Sequence, residues 1–202
     1  MKRTSTNWFS SVCRVSLLTL LLLSACKPEE YKKPSVTGYY RMESLVTNRE
    51  VDLNNDGITS SNVMEEVSQS FYLVQYNFSS RASYLEIRPT RLNDTRIQHM
   101  YVPFPHPRLK LEDTDSPNGR VAYLRNDLNG IGYDYSYDER SKIIRLDRSN
   151  VDANNEEVMG QLIDIKVIEK DPLELLVSKN YYDFSTASWV RLQLTARYTK
   201  VE

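Results

Sequence analysis

The chain has 202 residues, and its 26 Lys and Arg residues nearly balance its 27 Asp and Glu residues, which gives a formal net charge of −1. Because the chain has neither a basic excess nor a basic cluster, nucleic acid is not expected as a partner. The sequence contains two cysteines, Cys13 and Cys26, and both lie near its start, so a disulfide framework is not expected.

The N-terminal segment has the proportions of a secretory signal. Lys2, Arg3 and Arg14 supply its basic part, and the apolar run from Val15 to Ala25 follows. This run is shorter than the roughly 20 residues that span a membrane. Leu23-Ser24-Ala25-Cys26 resembles a bacterial lipobox, which implies removal of residues 1–25 and acylation of Cys26. We therefore expect a lipoprotein held to a membrane by acyl chains such as palmitate, outside the cytoplasm.

Residues 26–37 are polar, include Pro28 and Pro34, and show no hydrophobic period, so they are predicted to be a lipidated tether. Lys27 followed by Glu29 and Glu30 resembles the surface-export signal of Bacteroidetes lipoproteins, although Pro28 interrupts the pattern. The alternative is a solvated spacer. We expect an outer-membrane location, either surface-exposed or on the periplasmic face, and a single domain over residues 38–202.

From Gly38 onward the sequence shows the alternation of apolar and polar residues that is typical of strands. Tyr40, Met42, Ser44 and Val46 are predicted to share one face of the first strand. One short helix is predicted near Val63–Gln69. Asn129-Gly130 and Asp138–Ser141 are predicted turns, and Pro103 and Pro105 are expected to prevent a regular central strand. Further strands are predicted over Tyr72–Phe78, Ser83–Arg88, Arg96–Val102, Val121–Arg125, Gly132–Tyr137, Lys142–Asp147, Gln161–Glu169, Leu173–Asn180 and Trp189–Lys200.

Short antiparallel strands with close turns predict an all-β sandwich or barrel. Three segments, Gly38–Leu45, Asp52–Glu66 and Leu192–Lys200, resemble lipocalin-like domains of Bacteroidetes lipoproteins. The resemblance implies an up-and-down β-barrel, and it carries no established activity.

The segment after the first strand matches part of a calcium-binding loop. Asp52, Asn54 and Asp56 with Gly57 fit the start of such a loop, and Ile58 would offer its carbonyl oxygen. The position of the usual bidentate glutamate is Val63, so Glu65 or Glu66 would have to complete the shell. Calcium is the one predicted cofactor, and the alternative is a polar turn that leads into a helix capped by Asn62 and Glu65.

Other candidate residues favour structural roles. Tyr133, Tyr135 and Tyr137 are expected on the buried face of a strand, and Trp189 is expected in the core rather than at a ligand. His99 and His106 lack a third metal ligand at a diagnostic spacing. No catalytic motif is present, so an enzyme is not expected.

The leading functional hypothesis is a cell-envelope barrel that binds a small ligand, a glycan or a partner protein. The alternative is a purely structural or assembly role with a filled barrel, since an eight-stranded barrel is just wide enough for either. A hydrolase that acts on glycans is a third reading, because paired carboxylates could still meet in the folded chain.

Overall fold

Antiparallel strands dominate the computed structural model, which describes residues 32–68, 77–92, 96–111, 121–168 and 172–201. The predicted signal segment, Cys26 and most of the predicted strand Tyr72–Phe78 lie outside these residues. The strands are β1 Gly38–Val51, β2 Ser60–Asn62, β3 Leu85–Arg88, β4 Gln98–Leu111, β5 Val121–Asp138, β6 Ile143–Asp147, β7 Gln161–Val167, β8 Leu173–Asp183 and β9 Ser188–Lys200. The helices are α1 Val63–Ser68 and α2 Ala153–Met159, and a 3₁₀ turn spans Arg81–Ser83.

The strands follow one another around the barrel in chain order, with the sheet order β6-β5-β4-β3-β1-β9-β8-β7 and β2 paired to β1. Each described ladder is antiparallel. The first and last strands pair, from Tyr40 with Lys200 to Thr47 with Leu194. β6 and β7 are in contact, although no ladder joins these two strands. The predicted all-β, up-and-down antiparallel barrel is therefore confirmed.

Within the described residues, the interior of the barrel is filled by the chain's own side chains. The inward residues form one continuous apolar cluster. Several of them have no exposed surface at all, so not even a water molecule lies against them. They are Leu45, Leu85, Met100, Leu173, Leu175, Val177, Leu192, Leu194, Ala196 and Tyr198.

A bulge in β1 reverses part of its predicted alternation. Tyr40 and Met42 point inward as predicted, but the register against β9 shifts between Met42 and Ser44. One extra residue in a strand sends the following side chains to the opposite face. Leu45 is therefore buried, whereas Val46 is 39% exposed, so the prediction for Val46 is wrong.

The prediction of a turn at Asn129-Gly130 is also wrong. β4 and β5 form one long ribbon in which Gly130 pairs with Pro103. A side-chain carbon on Gly130 would lie 2.5 Å from the Val102 carbonyl oxygen and 2.8 Å from the Tyr101 ring. The glycine therefore permits close packing within a strand, which is its other common use.

β4 continues through Pro103 and Pro105, contrary to the expectation that these residues prevent a regular strand. β3 pairs with β4 only over His99–Tyr101, so beyond that point β5 is the strand partner. The prolines are two residues apart, so both nitrogens point to the same side of the strand, and proline is tolerated on a strand edge that has no ladder partner.

The helix predicted near Val63–Gln69 is confirmed as α1, and α2 is a second helix that was not predicted. Asp152 caps α2, because its side chain accepts a hydrogen bond from the Asn154 amide, and Gly160 follows its last residue. No helix in the described part of the chain combines the length and apolarity needed to cross a bilayer.

The wall of the barrel is interrupted beside β6. β6 pairs with β5 only over Asp134–Asp138, although β5 begins at Val121. α2 contacts β5, β7 and β8, so it fills the space between β5 and β7 that the short β6 leaves open. We call this region the seam.

Candidate functional site

The predicted calcium loop closes on itself through hydrogen bonds. The Asp52 carboxylate accepts the amides of Asn55 at 2.7 Å and Gly57 at 3.0 Å. Asp56 accepts the Ile58 amide at 2.8 Å. Gly57 has φ +82° with open space around it, so a glycine is needed there for backbone conformation rather than for room. Oxygens of the predicted ligands thus shape the turn.

The same loop ties three elements together at one end of the barrel. The Leu53 amide donates to Glu66 of α1 at 2.8 Å, and the Asp52 amide donates to Asp183 of β8 at 3.2 Å. Burial raises the pKa of Glu66 to about 7, against the Leu53 hydrogen bond, and the charges of Asp56 and Asp52 raise it further. The loop therefore links β1, α1 and the β8–β9 turn.

The predicted ligands differ in accessibility. Asp52 and Asn54 are buried, at 2% and 3% exposure, whereas Ile58 is 68% exposed and Glu65 is exposed. Within the described residues, no three Asp, Glu, His or Cys side chains are grouped so that they could hold one metal ion. Calcium binding, which would also use the Asn54 amide oxygen and the Ile58 carbonyl, stays a prediction.

A cleft of about 240 Å³ lies at the seam. One wall is the backbone of Gly130, Ile131 and Gly132, in the part of β5 that has no β6 partner. The rest is supplied by the turn before α2 and by α2 itself: Asn150, Val151, Asp152, Asn155 and Met159. Strand-edge polar groups, carboxamides and two apolar side chains therefore face one space.

Asn150 is held in the cleft by a buried carboxylate. Its side-chain amide donates to Asp134 at 3.1 Å, which leaves the amide oxygen for other partners. His99 contacts the same carboxylate at 2.9 Å, and Arg91 pairs with it at 3.3 Å. Burial raises the pKa of Asp134, but the hydrogen bonds from His99 and Asn150 outweigh it, so this pKa lies below its ordinary value.

Side chains bridge the seam beneath α2. The Tyr133 hydroxyl accepts the Leu162 amide of β7 at 3.2 Å and donates to Glu156 of α2 at 3.2 Å. Arg148 donates to the Leu162 carbonyl and pairs with Glu156 at 2.9 Å. The backbone of Leu162 is therefore satisfied by side chains at a place where a neighbouring strand would otherwise supply its partners.

Lys179 is the most deeply buried charged side chain among the described residues, at 1% exposure. Its ammonium donates to the Val158 carbonyl in the last turn of α2 at 2.9 Å and lies 5.6 Å from the Tyr181 ring. A cation is favoured at a helix C-terminus. Burial nevertheless lowers the pKa of Lys179 to about 7.

The sequence predictions for aromatic residues are confirmed in part. Tyr133 and Tyr135 are buried as predicted, but the prediction for Trp189 is wrong, since it is 56% exposed. Inward residues of β9 have even numbers, from Leu192 to Tyr198, so Trp189 belongs to the outward face. Sequence reasoning missed the cleft and Lys179; Asp152 and Gly160, as cap and stop signals, could have indicated α2.

Comparison of the chain with known protein families, curated proteins and solved structures gives no match.

Calcium binding by the Asp52–Ile58 loop is tested by thermal unfolding. Calcium at ten times its Kd should stabilise the native state by about 1.4 kcal/mol, which raises the Tm of a domain of this size by about 3–5 °C. Asp56→Ala should abolish the rise. Asp147→Ala is the matched control, because Asp147 also accepts a nearby backbone amide, that of Ser149, and lies outside the loop. If calcium leaves the Tm of the wild type unchanged, the loop is a polar turn and does not bind calcium.

The buried ammonium predicts a pH-dependent stability. The folded-state pKa of Lys179, about 7, lies below the unfolded value of 10.5, so the unfolded state binds more protons between these pH values. The free energy of unfolding should therefore rise from pH 7 to 10, by an amount on the order of a few kcal/mol. In urea unfolding, the free energy of unfolding of Lys179→Met should lack this part of the rise with pH. The free energy of Lys166→Met, a change at an exposed lysine, should keep it. Equal slopes in both variants would contradict the prediction.

Proposed function

We propose that this chain is an outer-membrane lipoprotein, anchored through Cys26, whose barrel binds a small polar ligand in the cleft at the seam. The cleft carries this proposal. It brings the strand segment Gly130–Gly132, which lies beyond the β6 ladder, next to the carboxamide residues Asn150 and Asn155, with Val151 and Met159 beside them. Small-ligand sites combine apolar walls with a few convergent polar groups.

The size of the cleft limits the ligand. At about 240 Å³ it lies below the range of about 300–1,000 Å³ that is typical of drug-sized ligands. A monosaccharide or a dipeptide suits such a space, and both carry enough hydroxyl or amide groups for its polar walls. The packed interior favours the seam over the lumen, because Leu175, Leu194 and Tyr198 leave no room for a ligand against them.

Binding rather than catalysis is proposed. Asp134, the buried carboxylate beside the cleft, already accepts hydrogen bonds from Asn150 and contacts His99 and Arg91, so it is set to hold these groups in place. The second candidate is a structural or assembly role, and the filled interior is the observation that favours it.

The cleft is tested by amide chemical shifts with N-acetylglucosamine and alanyl-alanine as probes at millimolar concentration. One probe should shift the amides of 130–132 and 150–159 and leave the others unmoved. Asn155→Leu should weaken binding by about tenfold, as expected for loss of a key contact. Asn154→Leu is the matched control, because Asn154 is an exposed neighbour that does not line the cleft. No shifts with either probe, or equal binding by both variants, would reject the cleft and favour the structural role.

Acylation is tested by labelling cells with a fatty-acid analogue. The wild type should be labelled and recovered with outer membranes, because two or more acyl chains bind firmly. Cys26→Ser should lose the label, whereas Cys13→Ser, which changes the other cysteine of the chain, should keep it. Label retained in Cys26→Ser would contradict the lipoprotein assignment.

A further inference from the structure

Three aromatic residues cluster on the outer surface of the β8–β9 hairpin. Tyr182 and Trp189 pair directly across the two strands, with ring centroids 5.7 Å apart and an angle of 76°. Phe184 packs against Tyr182 with centroids 5.0 Å apart at 71°. Trp189 is 56% exposed. Grouped exposed aromatics mark a binding surface more often than isolated ones do.

The hairpin holds these rings in a fixed arrangement. Asp183, at 2% exposure, accepts hydrogen bonds from the Ser185 amide at 3.0 Å and hydroxyl at 2.7 Å, and from Thr186 at 3.1 Å. The Phe184 amide donates to the Asp52 carbonyl at 2.8 Å. Because the turn is tied down on both sides, a ligand would not have to order it, and aromatic side chains lose little entropy on binding.

Polar groups lie on both sides of the rings along the hairpin. Asn180 and Arg191 form the next outward pair on β8 and β9. The Arg191 Nε donates to Ser178 at 2.7 Å, which fixes the orientation of its side chain. On the other side, the hydroxyls of Thr186 and Ser188 lie 3.0 Å apart. The aromatic strip is therefore bordered on its own face by Asn180 and Arg191, and the turn hydroxyls lie at its end.

We propose that this strip, defined by Tyr182, Phe184 and Trp189, is a glycan-binding platform. A pyranose ring has an apolar face of C–H groups that can lie on the exposed Trp189 indole. Its hydroxyl groups, which project from the edge of the ring, would reach Asn180 and Arg191. The rings supply the apolar contact, and the flanking side chains supply directional hydrogen bonds. A sugar requires this combination.

The position of the platform argues against a membrane as the occupant. The chain enters the barrel at the opposite end, where Ser35 is bound by Glu139 at 2.7 Å and by Lys200 at 2.8 Å. β1 runs from there to Val51, beside the platform, over 14 residues. At 3.2–3.4 Å per residue this is about 45 Å of strand. The predicted tether over residues 26–37 therefore joins the barrel far from the platform.

The surroundings also argue against a large protein interface. The next outward residues of β9 are Arg191, Gln193, Thr195 and Arg197, which are all polar, and Arg197 is paired with Glu174 at 3.0 Å. A stable protein interface uses about 20–30 residues on each side, and three rings bordered by polar residues form a much smaller surface. The platform belongs to a different part of the barrel from the seam, so this inference does not rest on ligand binding in the cleft.

The test uses the full chain with Trp8→Phe, so that Trp189 is the remaining tryptophan. The probes are dextran, a neutral polymer of pyranose units, and polygalacturonate, which adds a carboxylate to each unit. At least one should change the Trp189 emission in a saturable way. In affinity electrophoresis with the same polymers, Trp189→Ala should weaken binding by about tenfold, and Trp189→Phe should retain part of it. A preference for polygalacturonate that Arg191→Gln removes would assign the acidic sugar to Arg191.

Ile143→Ala is the matched control, since Ile143 is another exposed apolar residue, at 45%, on β6. Its binding should equal that of the wild type, and an unchanged Tm in Trp189→Ala would show that the fold is intact. No binding of either polymer would overturn the proposal, as would binding that survives Trp189→Ala. If neither polymer binds but the protein sediments with phosphatidylglycerol vesicles in a Trp189-dependent way, the occupant is a membrane. If neither polymer binds but the protein self-associates in a Trp189-dependent way, the occupant is a second copy. Either result would overturn the proposal.

Discussion

The barrel depends on side chains that take the place of a strand where its ladder is interrupted. Backbone groups buried in a sheet must be paired, and an unpaired edge between two strands would be costly. β6 is too short to bridge β5 and β7 along their whole length. Tyr133 and Arg148 complete the backbone of Leu162 instead, and both bind Glu156 of α2. The wall is therefore closed by packing and side-chain hydrogen bonds at the seam.

A hollow barrel uses its interior both for stability and for polar groups that face a ligand. In this barrel, the interior and the seam divide these two roles. The interior supplies stability, because its aromatic and aliphatic side chains pack without room for water. The seam supplies polar groups that a continuous ladder would have consumed. Lys179 lies where these roles meet, on the inward face of β8 yet bonded to the end of α2. Its burial lowers its pKa, and the helix end to which it is bonded offers the best acceptor for its charge.

Much of the fold is visible in the sequence, because a strand with one buried face alternates regularly. That rule identified most strands, and applied to β9 it would also have placed Trp189 outward. It could not reveal the bulge after Met42, which adds a residue without changing the composition. Asn129-Gly130 has the composition of a turn, and only the partner strand shows that Gly130 makes room for Tyr101. The cleft depends on how far β6 extends along β5, and pairing lengths between distant segments leave no local signal.

Pairing between the first and last strands also governs when the chain can fold. Tyr40 meets Lys200 in the β1–β9 ladder, so the barrel cannot close before β9 has been synthesised. Contacts between residues so far apart in sequence make folding slow, because the long loop must be closed before the contacts compensate for its lost entropy. A nascent chain that lacks its final strand thus keeps its core open. For a protein proposed to be exported, this delay preserves the unfolded form that passes through a membrane pore.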